Sequence, residues 1–166
     1  LLDGTKVPCT NAAMANAVMS LAYDLSDTFM ENALHPGCSI VASALAVGEM
    51  KESPGRNLIT AVVAGYELVS RIADAFNLGK RHLATKGFEA QALFPVFGSA
   101  AAAAKLLGLD DDKMNHTLTI APCSMGGGLI EYLIDGNWTY RWNVGRAAHD
   151  GVLTALLARQ GFVGPD

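Results

Sequence analysis

Residues 56–76 read RNLITAVVAGYELVSRIADAF, and their apolar side chains recur at the three- and four-residue steps of an amphipathic α-helix. Glu67 and Arg71 are spaced i,i+4, which suits an ion pair on the opposite, solvent-facing side. Periodicity sustained over about six turns predicts one long helix. Its apolar side consists of Leu58, Val62, Tyr66, Val69, Ile72, Ala73 and Phe76.

Helical periodicity continues on both sides of this segment. Asn11 is suited to cap a first helix, and Pro36-Gly37 marks the start of a second one that ends before Pro54-Gly55. The exception is Trp138 to Trp142, where alternating aromatics predict a short extended segment. We therefore expect an all-α fold, a single helical domain over residues 1–166. The predicted helices are 11–24, 37–52, 56–76, 90–107, 110–121, 125–134 and 144–160.

Composition narrows the classes of function. The net charge is -4 and the basic residues are scattered, so a nucleic-acid partner is not expected. No apolar run reaches the roughly 18 residues of a membrane span, so we expect no membrane partner either. The three cysteines are odd in number and far apart, which argues against a disulfide framework or a cysteine-clustered metal site. A cytoplasmic protein without metal or cofactor is the prediction.

The surface is predicted to be unusually apolar. Only 17% of the residues are charged, against the usual quarter in soluble domains. Apolar surface of this extent is commonly covered by other polypeptide. We therefore expect a homodimer.

Catalytic candidates cluster in residues 24–37. If the first helix continues, Asp24 and Thr28 share one of its faces at i,i+4, and His35 lies at the mouth of the next helix. Aspartate and histidine together suit proton abstraction and return, because burial and mutual interaction tune their pKa values. The alternative is that these residues are helix-end polarity and a cap before Pro36.

Three other segments carry weaker signals. Residues 77–89 predict a loop with local positive charge. Gly126-Gly127-Gly128 lacks the context of a phosphate-binding loop and predicts a turn or close helix packing. Tyr140 and Arg141 are available for an anionic ligand, while core packing accounts for Trp138 and Trp142.

Several segments, in order, resemble the MmgE/PrpD family. Tyr23 to Thr28 is similar to the family's Asp-Phe-Asp-Asp-Thr block, and His35-Pro36-Gly37 to its His-Pro element. The likeness continues through 61–67, 98–109 and 145–148 and covers nearly the whole chain. It implies the helical part of a longer enzyme, with a lid domain outside these residues.

The resemblance also implies chemistry on small polycarboxylic acids without metal or cofactor. A base removes a proton next to a carboxylate, and hydroxide or carbon dioxide departs. It places Asp24 and His35 as acid–base residues. Thr28, Glu89, Tyr140 and Arg141 become candidate substrate contacts.

The sequence departs from the family pattern at charged positions. Glu89 stands where the family has a histidine, Tyr140 where it has a lysine, and Asn143 where it has a second histidine. Leu21 replaces an earlier histidine, and Ser26 a motif aspartate. These changes remove positive charge that would hold carboxylates, and an ionised Glu89 would repel them.

Three functions remain open on these grounds. The first is a lyase resembling 2-methylcitrate dehydratase, or the related cis-aconitate decarboxylase. The second is an isomerase resembling iminodisuccinate epimerase. The third is a non-catalytic helical module that serves oligomer assembly.

Overall fold

The computed structural model describes residue 1 and residues 3–77, 82–126 and 128–165, without the side chains of Asn77 and His82. Over these residues the chain forms nine α-helices and one 3-10 helix, and no strand longer than an isolated bridge. The predicted all-α fold is confirmed. The helices are α1 (Cys9–Ser20), α2 (Gly37–Met50), α3 (Gly55–Asn77), α4 (His82–Thr85), α5 (Ala90–Leu93), α6 (Pro95–Leu107), α7 (Asp111–Ile120), the 3-10 helix (Ala121–Ser124), α8 (Glu131–Ile134) and α9 (Thr139–Arg159).

The long predicted helix agrees closely with α3, and Glu67 and Arg71 form the expected ion pair. The helix predicted over 110–121 agrees with α7, where the Asp110 side chain accepts a hydrogen bond from the Lys113 N–H at 2.9 Å. The loop predicted over 77–89 contains the short α4, and residues 78–81 lie outside the described part. Local signals of periodicity and capping were sufficient for these elements.

Three predicted boundaries were wrong. The first helix ends at Ser20 rather than Asp24, so residues 24–28 are irregular. The helix predicted over 90–107 is broken at Phe94, because Pro95 has no N–H to continue it. Of the helix predicted over 125–134, only 131–134 is helical, and Gly127 lies outside the described residues.

The extended segment predicted over Trp138 to Trp142 was also wrong. These residues open α9, so their side chains point in helical directions rather than alternating between two faces. Tyr140 is consequently buried, whereas Trp138 and Trp142 are 71% and 51% exposed. The tryptophans are therefore not core residues.

The core is built around α6, which packs against α2, α3, α7 and α9. All of its residues except Lys105 are buried, and five consecutive alanines, 100–104, form its centre. Short side chains of this kind allow neighbouring helices to approach closely. The helix is therefore the scaffold on which the other helices are placed.

Glycines mark the tightest crossings. A Cβ on Gly98 would lie 2.9 Å from the Gly65 carbonyl oxygen, and one on Gly65 would lie 2.6 Å from the Gly98 carbonyl oxygen. The α3 and α6 backbones thus touch at this pair. Gly151 meets α6 at Ser99, and Gly145 meets α1 at Val18, in the same way.

The stretch Ala90–Leu107 is long and apolar enough to span a membrane by length and composition, contrary to the sequence-based expectation. However, 83% of it is buried inside the protein. A buried core helix satisfies the same criteria. Its apolar character is explained by its central position in the fold.

We expect Gly98→Ala to destabilise the protein by roughly 1–3 kcal/mol, because the added methyl overpacks the α3–α6 crossing. Helix propensity alone would favour alanine by roughly 1 kcal/mol, so the sign distinguishes the two effects. Gly55→Ala is the matched control, since a Cβ there meets nothing within 4 Å. Urea unfolding measures both, and a Gly98→Ala variant as stable as wild type would contradict the close crossing.

Candidate active site

The first wall of the candidate site is the connection between α1 and α2. Asp24 adopts a left-handed conformation with φ of 56° and is exposed. It therefore does not share a helix face with Thr28, as the sequence had indicated. The chain instead returns through the pair Phe29 and Leu34, whose backbones exchange hydrogen bonds of 2.7 and 3.2 Å. This reversal brings Thr28 next to His35.

Asp27 organises this wall. Its carboxylate accepts hydrogen bonds from the Gly37 N–H at 3.1 and 3.2 Å and from the Tyr66 hydroxyl at 2.9 Å. It thereby caps α2 from ten residues upstream and ties it to α3. Burial and the Asp27 hydrogen bond raise the pKa of Tyr66, which keeps the phenol protonated.

Asp27 lies within the predicted cluster of residues 24–37 but was not among the catalytic candidates. The usable signal was a helix start at Pro36-Gly37 without Ser, Thr, Asp or Asn in the capping position itself. The free backbone N–H groups at the start of such a helix need a hydrogen-bond acceptor from elsewhere. A remote aspartate is one solution, but its sequence distance is not set by any local rule.

His35 is half-buried, and its Nδ1 lies 2.8 Å from the Asp27 carbonyl oxygen. A carbonyl oxygen only accepts, so we assign the ring proton to Nδ1. The same nitrogen lies 3.2 Å from Thr28 Oγ1. In the neutral ring Nε2 then carries a lone pair and is able to act as a base.

The second wall holds Glu89, which is 3% exposed. Its Oε1 accepts a hydrogen bond from the Gln91 N–H at 2.8 Å, whereas Oε2 has no partner among the residues that the structure describes. Burial raises its pKa from 4.5 to about 7, against the lowering effects of the Gln91 and Ala92 N–H groups and the Asn143 amide. The Asn143 Nδ2 is nevertheless outside hydrogen-bonding geometry with any group in the described part of the chain.

Gln91 joins the two walls. Its Nε2 donates to the His35 carbonyl oxygen at 3.1 Å, across 56 positions in sequence. Because Gln91 also donates its backbone N–H to Glu89, the histidine and the buried acid are positioned by one residue. The structure thus connects two candidates that the sequence could only name separately.

Tyr140 lies within electrostatic reach of Glu89 and Asp24. Its phenol is 4% exposed and packs with Leu21, Cys38 and Val144. Burial raises the pKa of Tyr140, and the charges of Glu89 and Asp24 raise it further. The hydroxyl therefore stays protonated, as a hydrogen-bond donor within electrostatic reach of both carboxylates.

The half-buried Arg141 side chain contacts other residues of the protein. Its Nε donates to the Ala22 carbonyl oxygen at 3.2 Å, and its guanidinium lies 4.9 Å from the centre of the Trp138 ring. These contacts hold the turn after α1 against the start of α9. Arg141 thus helps to place Asp24, and its remaining N–H groups are the ones available to an anion.

A small cavity lies beside this second wall. Its volume is about 180 Å³, and it lies between Gly126 and Gly128 on one side and the beginning of α9 on the other. Arg146, which the sequence analysis did not propose as a site residue, contributes a guanidinium to it. The lining residues are Gly126, Gly128, Tyr132, Thr139, Trp142, Asn143 and Arg146.

The sequence model of the MmgE/PrpD N-terminal domain matches residues 1–166. The chain belongs to the MmgE/PrpD family. This result agrees with the resemblance found in the motifs around Asp24 and His35.

The chain is also similar to curated relatives named cis-aconitate decarboxylase. It is 32% identical over 163 residues to the cis-aconitate decarboxylase-like protein oryM of Aspergillus oryzae, covering 92% of this chain and 32% of that protein. It is 31% identical to the Aspergillus terreus enzyme and 30% identical to the Homo sapiens enzyme, covering 96% of this chain and 33% of each relative. The chain therefore spans about a third of the length of these relatives.

We expect the free energy of unfolding to depend on pH because Glu89 is buried. Its pKa is higher in the folded state than in the unfolded chain, so its contribution is greatest below pH 4.5 and is lost as the pH rises through 7. Glu89→Gln removes the titration but keeps an acceptor oxygen. The variant should match wild type at pH 4.5 and exceed it at pH 8 by up to roughly 3 kcal/mol, at 1.36 kcal/mol per pKa unit.

Urea unfolding at the two pH values provides this measurement, and the low-pH comparison is the internal control. An equal stability difference at pH 4.5 and pH 8 would show that Glu89 ionises without cost in the fold.

Proposed function

We propose that this chain forms the helical part of a lyase that acts on a small polycarboxylic acid by proton transfer. The observation that carries the proposal is the His35 ring, whose Nδ1 is held by the Asp27 carbonyl so that Nε2 is left as a base. Membership in the MmgE/PrpD family and the names of the relatives support this class of reaction.

We infer the following roles for the candidate residues. His35 takes or returns the proton on the carbon next to a carboxylate, and Asp24 is the second acid–base group. The hydroxyls of Thr28 and Tyr140 and the free N–H groups of Arg141 donate hydrogen bonds to the substrate. These donors favour the electron-rich intermediate that forms when the proton leaves.

The structure changes the expectation that Glu89 repels a carboxylate substrate. A fully ionised glutamate would repel a carboxylate, but burial raises the pKa of Glu89 to about 7. Near neutral pH a large fraction is protonated and able to donate a hydrogen bond. We infer that Glu89 favours a bound carboxylate in its neutral form and opposes it in its ionised form.

Two lyase reactions fit this arrangement. In dehydration the C–H bond breaks to the base, its electron pair forms a C=C bond, and hydroxide leaves with a proton from the acid. In decarboxylation a C–C bond to carboxylate breaks, carbon dioxide leaves, and the electron pair ends in a new C–H bond. The names of the relatives favour decarboxylation of a cis-aconitate-like acid over dehydration of 2-methylcitrate.

The test is product analysis by NMR in deuterated water, using the complete product of the reading frame that contains this chain. Cis-aconitate and 2-methylcitrate are supplied separately. Carbon dioxide release or an alkene product with loss of water supports the lyase. Deuterium exchange without elimination would assign an epimerase instead, and no exchange and no product would favour a non-catalytic module.

His35→Asn tests the base directly. Asparagine retains an N–H for the Asp27 carbonyl but lacks Nε2, so we expect kcat to fall by about 10²- to 10⁴-fold with the fold retained. His149→Asn is the control, since this half-buried histidine pairs with Asp150 on α9. Wild-type kcat in His35→Asn would remove His35 from the mechanism.

A further inference from the structure

The cavity beside Tyr140 has the features of an anion-binding site. Its volume of about 180 Å³ equals several water molecules, at roughly 30 Å³ each, and fits one end of a small acid. Of its lining residues, Arg146 alone carries a charge at neutral pH, and no carboxylate is among them. The described lining thus carries one positive charge and no carboxylate, and the buried Glu89 carboxyl lies next to Asn143 outside the lining.

Arg146 has no ion-pair partner in the described ranges 3–77, 82–126 and 128–165. Its Nε is buried and has no hydrogen-bond partner there. An arginine remains charged when buried, and an unpaired buried donor costs free energy. A ligand that accepts hydrogen bonds and carries negative charge would remove both penalties.

Asn143 presents a second donor on the same side of α9, and its amide also lowers the pKa of the neighbouring Glu89. It is 6% exposed, and its Nδ2 has no partner among the described residues. It is three positions before Arg146, so the two side chains are neighbours on the helix surface. Two unpartnered donors facing one small cavity suit an acceptor-only group such as a carboxylate.

The glycine-rich segment explains how Arg146 is accommodated. A Cβ on Gly126 would overlap the Arg146 guanidinium, so a side chain there would displace this donor. A Cβ on Gly128 would overlap the Ala92 side chain first and would lie 3.1 Å from Asn143 Nδ2. The close packing predicted for this segment is therefore seen at Gly128, while Gly126 leaves room for the guanidinium.

We propose that Arg146 and Asn143 form a carboxylate-binding subsite, in which the guanidinium and the amide hold one carboxylate of the substrate while another part reaches His35. The proposal rests on the proposed function for the polycarboxylate nature of the ligand. Tyr140 and Asn143 occupy positions where the family pattern has a lysine and a histidine, so positive charge is missing from this face. Arg146 supplies positive charge on the same helix, six residues after Tyr140, which is about one and two-thirds turns at roughly 3.6 residues a turn.

Tricarballylate, a saturated tricarboxylate that lacks the hydroxyl needed for dehydration, is the probe for binding without turnover. Titration calorimetry on the complete protein should show binding to wild type and about 10- to 100-fold weaker binding to Arg146→Gln. Arg146→Lys should lie between them, because it keeps the charge but loses the planar fork. Arg159→Gln, at the exposed end of the same helix, should bind as wild type does.

Thermal unfolding separates a ligand contact from a structural role. Tricarballylate should raise the Tm of wild type but not that of Arg146→Gln, and without ligand the variant should be at least as stable as wild type. A loss of stability without ligand would indicate that Arg146 supports the fold instead. Absence of binding to wild type, or unchanged binding to Arg146→Gln, would overturn the subsite.

The outcome is distinguishable from that of the proposed function. Arg146-dependent binding of tricarballylate without turnover of any acid would retain the subsite and reject the lyase. Turnover with an unchanged KM in Arg146→Gln would retain the lyase and reject the subsite.

Discussion

Close backbone approach between α6 and its neighbours is the constraint on which the rest of this structure depends. The helix is almost entirely buried, and glycines at its crossings bring other backbones into contact with it. Two buried serines of α2, Ser39 and Ser43, donate to the carbonyl oxygens of Val144 and Ala148 at 3.0 and 3.3 Å. These bonds, one turn apart on each helix, fix the register of α2 against α9. The beginnings of these two helices carry most of the candidate site.

With α2 and α9 in this register, the candidate site is held together by hydrogen bonds between residues of different elements. Asp27 caps α2 and holds the first wall of the site against α3, and Gln91 connects His35 to Glu89. Burial then determines the protonation states: Glu89 titrates near neutrality, and Tyr140 keeps its proton. Together the candidate residues Asp24, Glu89 and Arg141 carry a formal charge of -1, and protonation of Glu89 removes this net negative charge, which favours a carboxylate ligand.

Prediction from sequence was most successful where the governing interactions are local. The periodicity of residues 56–76 and the acidic start of α7 correspond to observed helices because i,i+3 and i,i+4 neighbours decide them. It was least successful at helix ends. The break before Pro95 was overlooked in an apolar run, and the aromatic alternation after Asn137 was interpreted as a short extended segment, although tertiary packing places it on α9.

The sequence by itself determined the all-α class, the main helices and, through family motifs, the residues Asp24, His35, Glu89 and Tyr140 as candidates. Only the tertiary structure decided how they relate: a chain reversal rather than a helix face places Thr28 beside His35. It also decided the pKa of Glu89, because desolvation depends on every element packed around a group and not on its neighbours in sequence. Unpaired donors such as that of Arg146 are recognised only when the surroundings of the side chain are known.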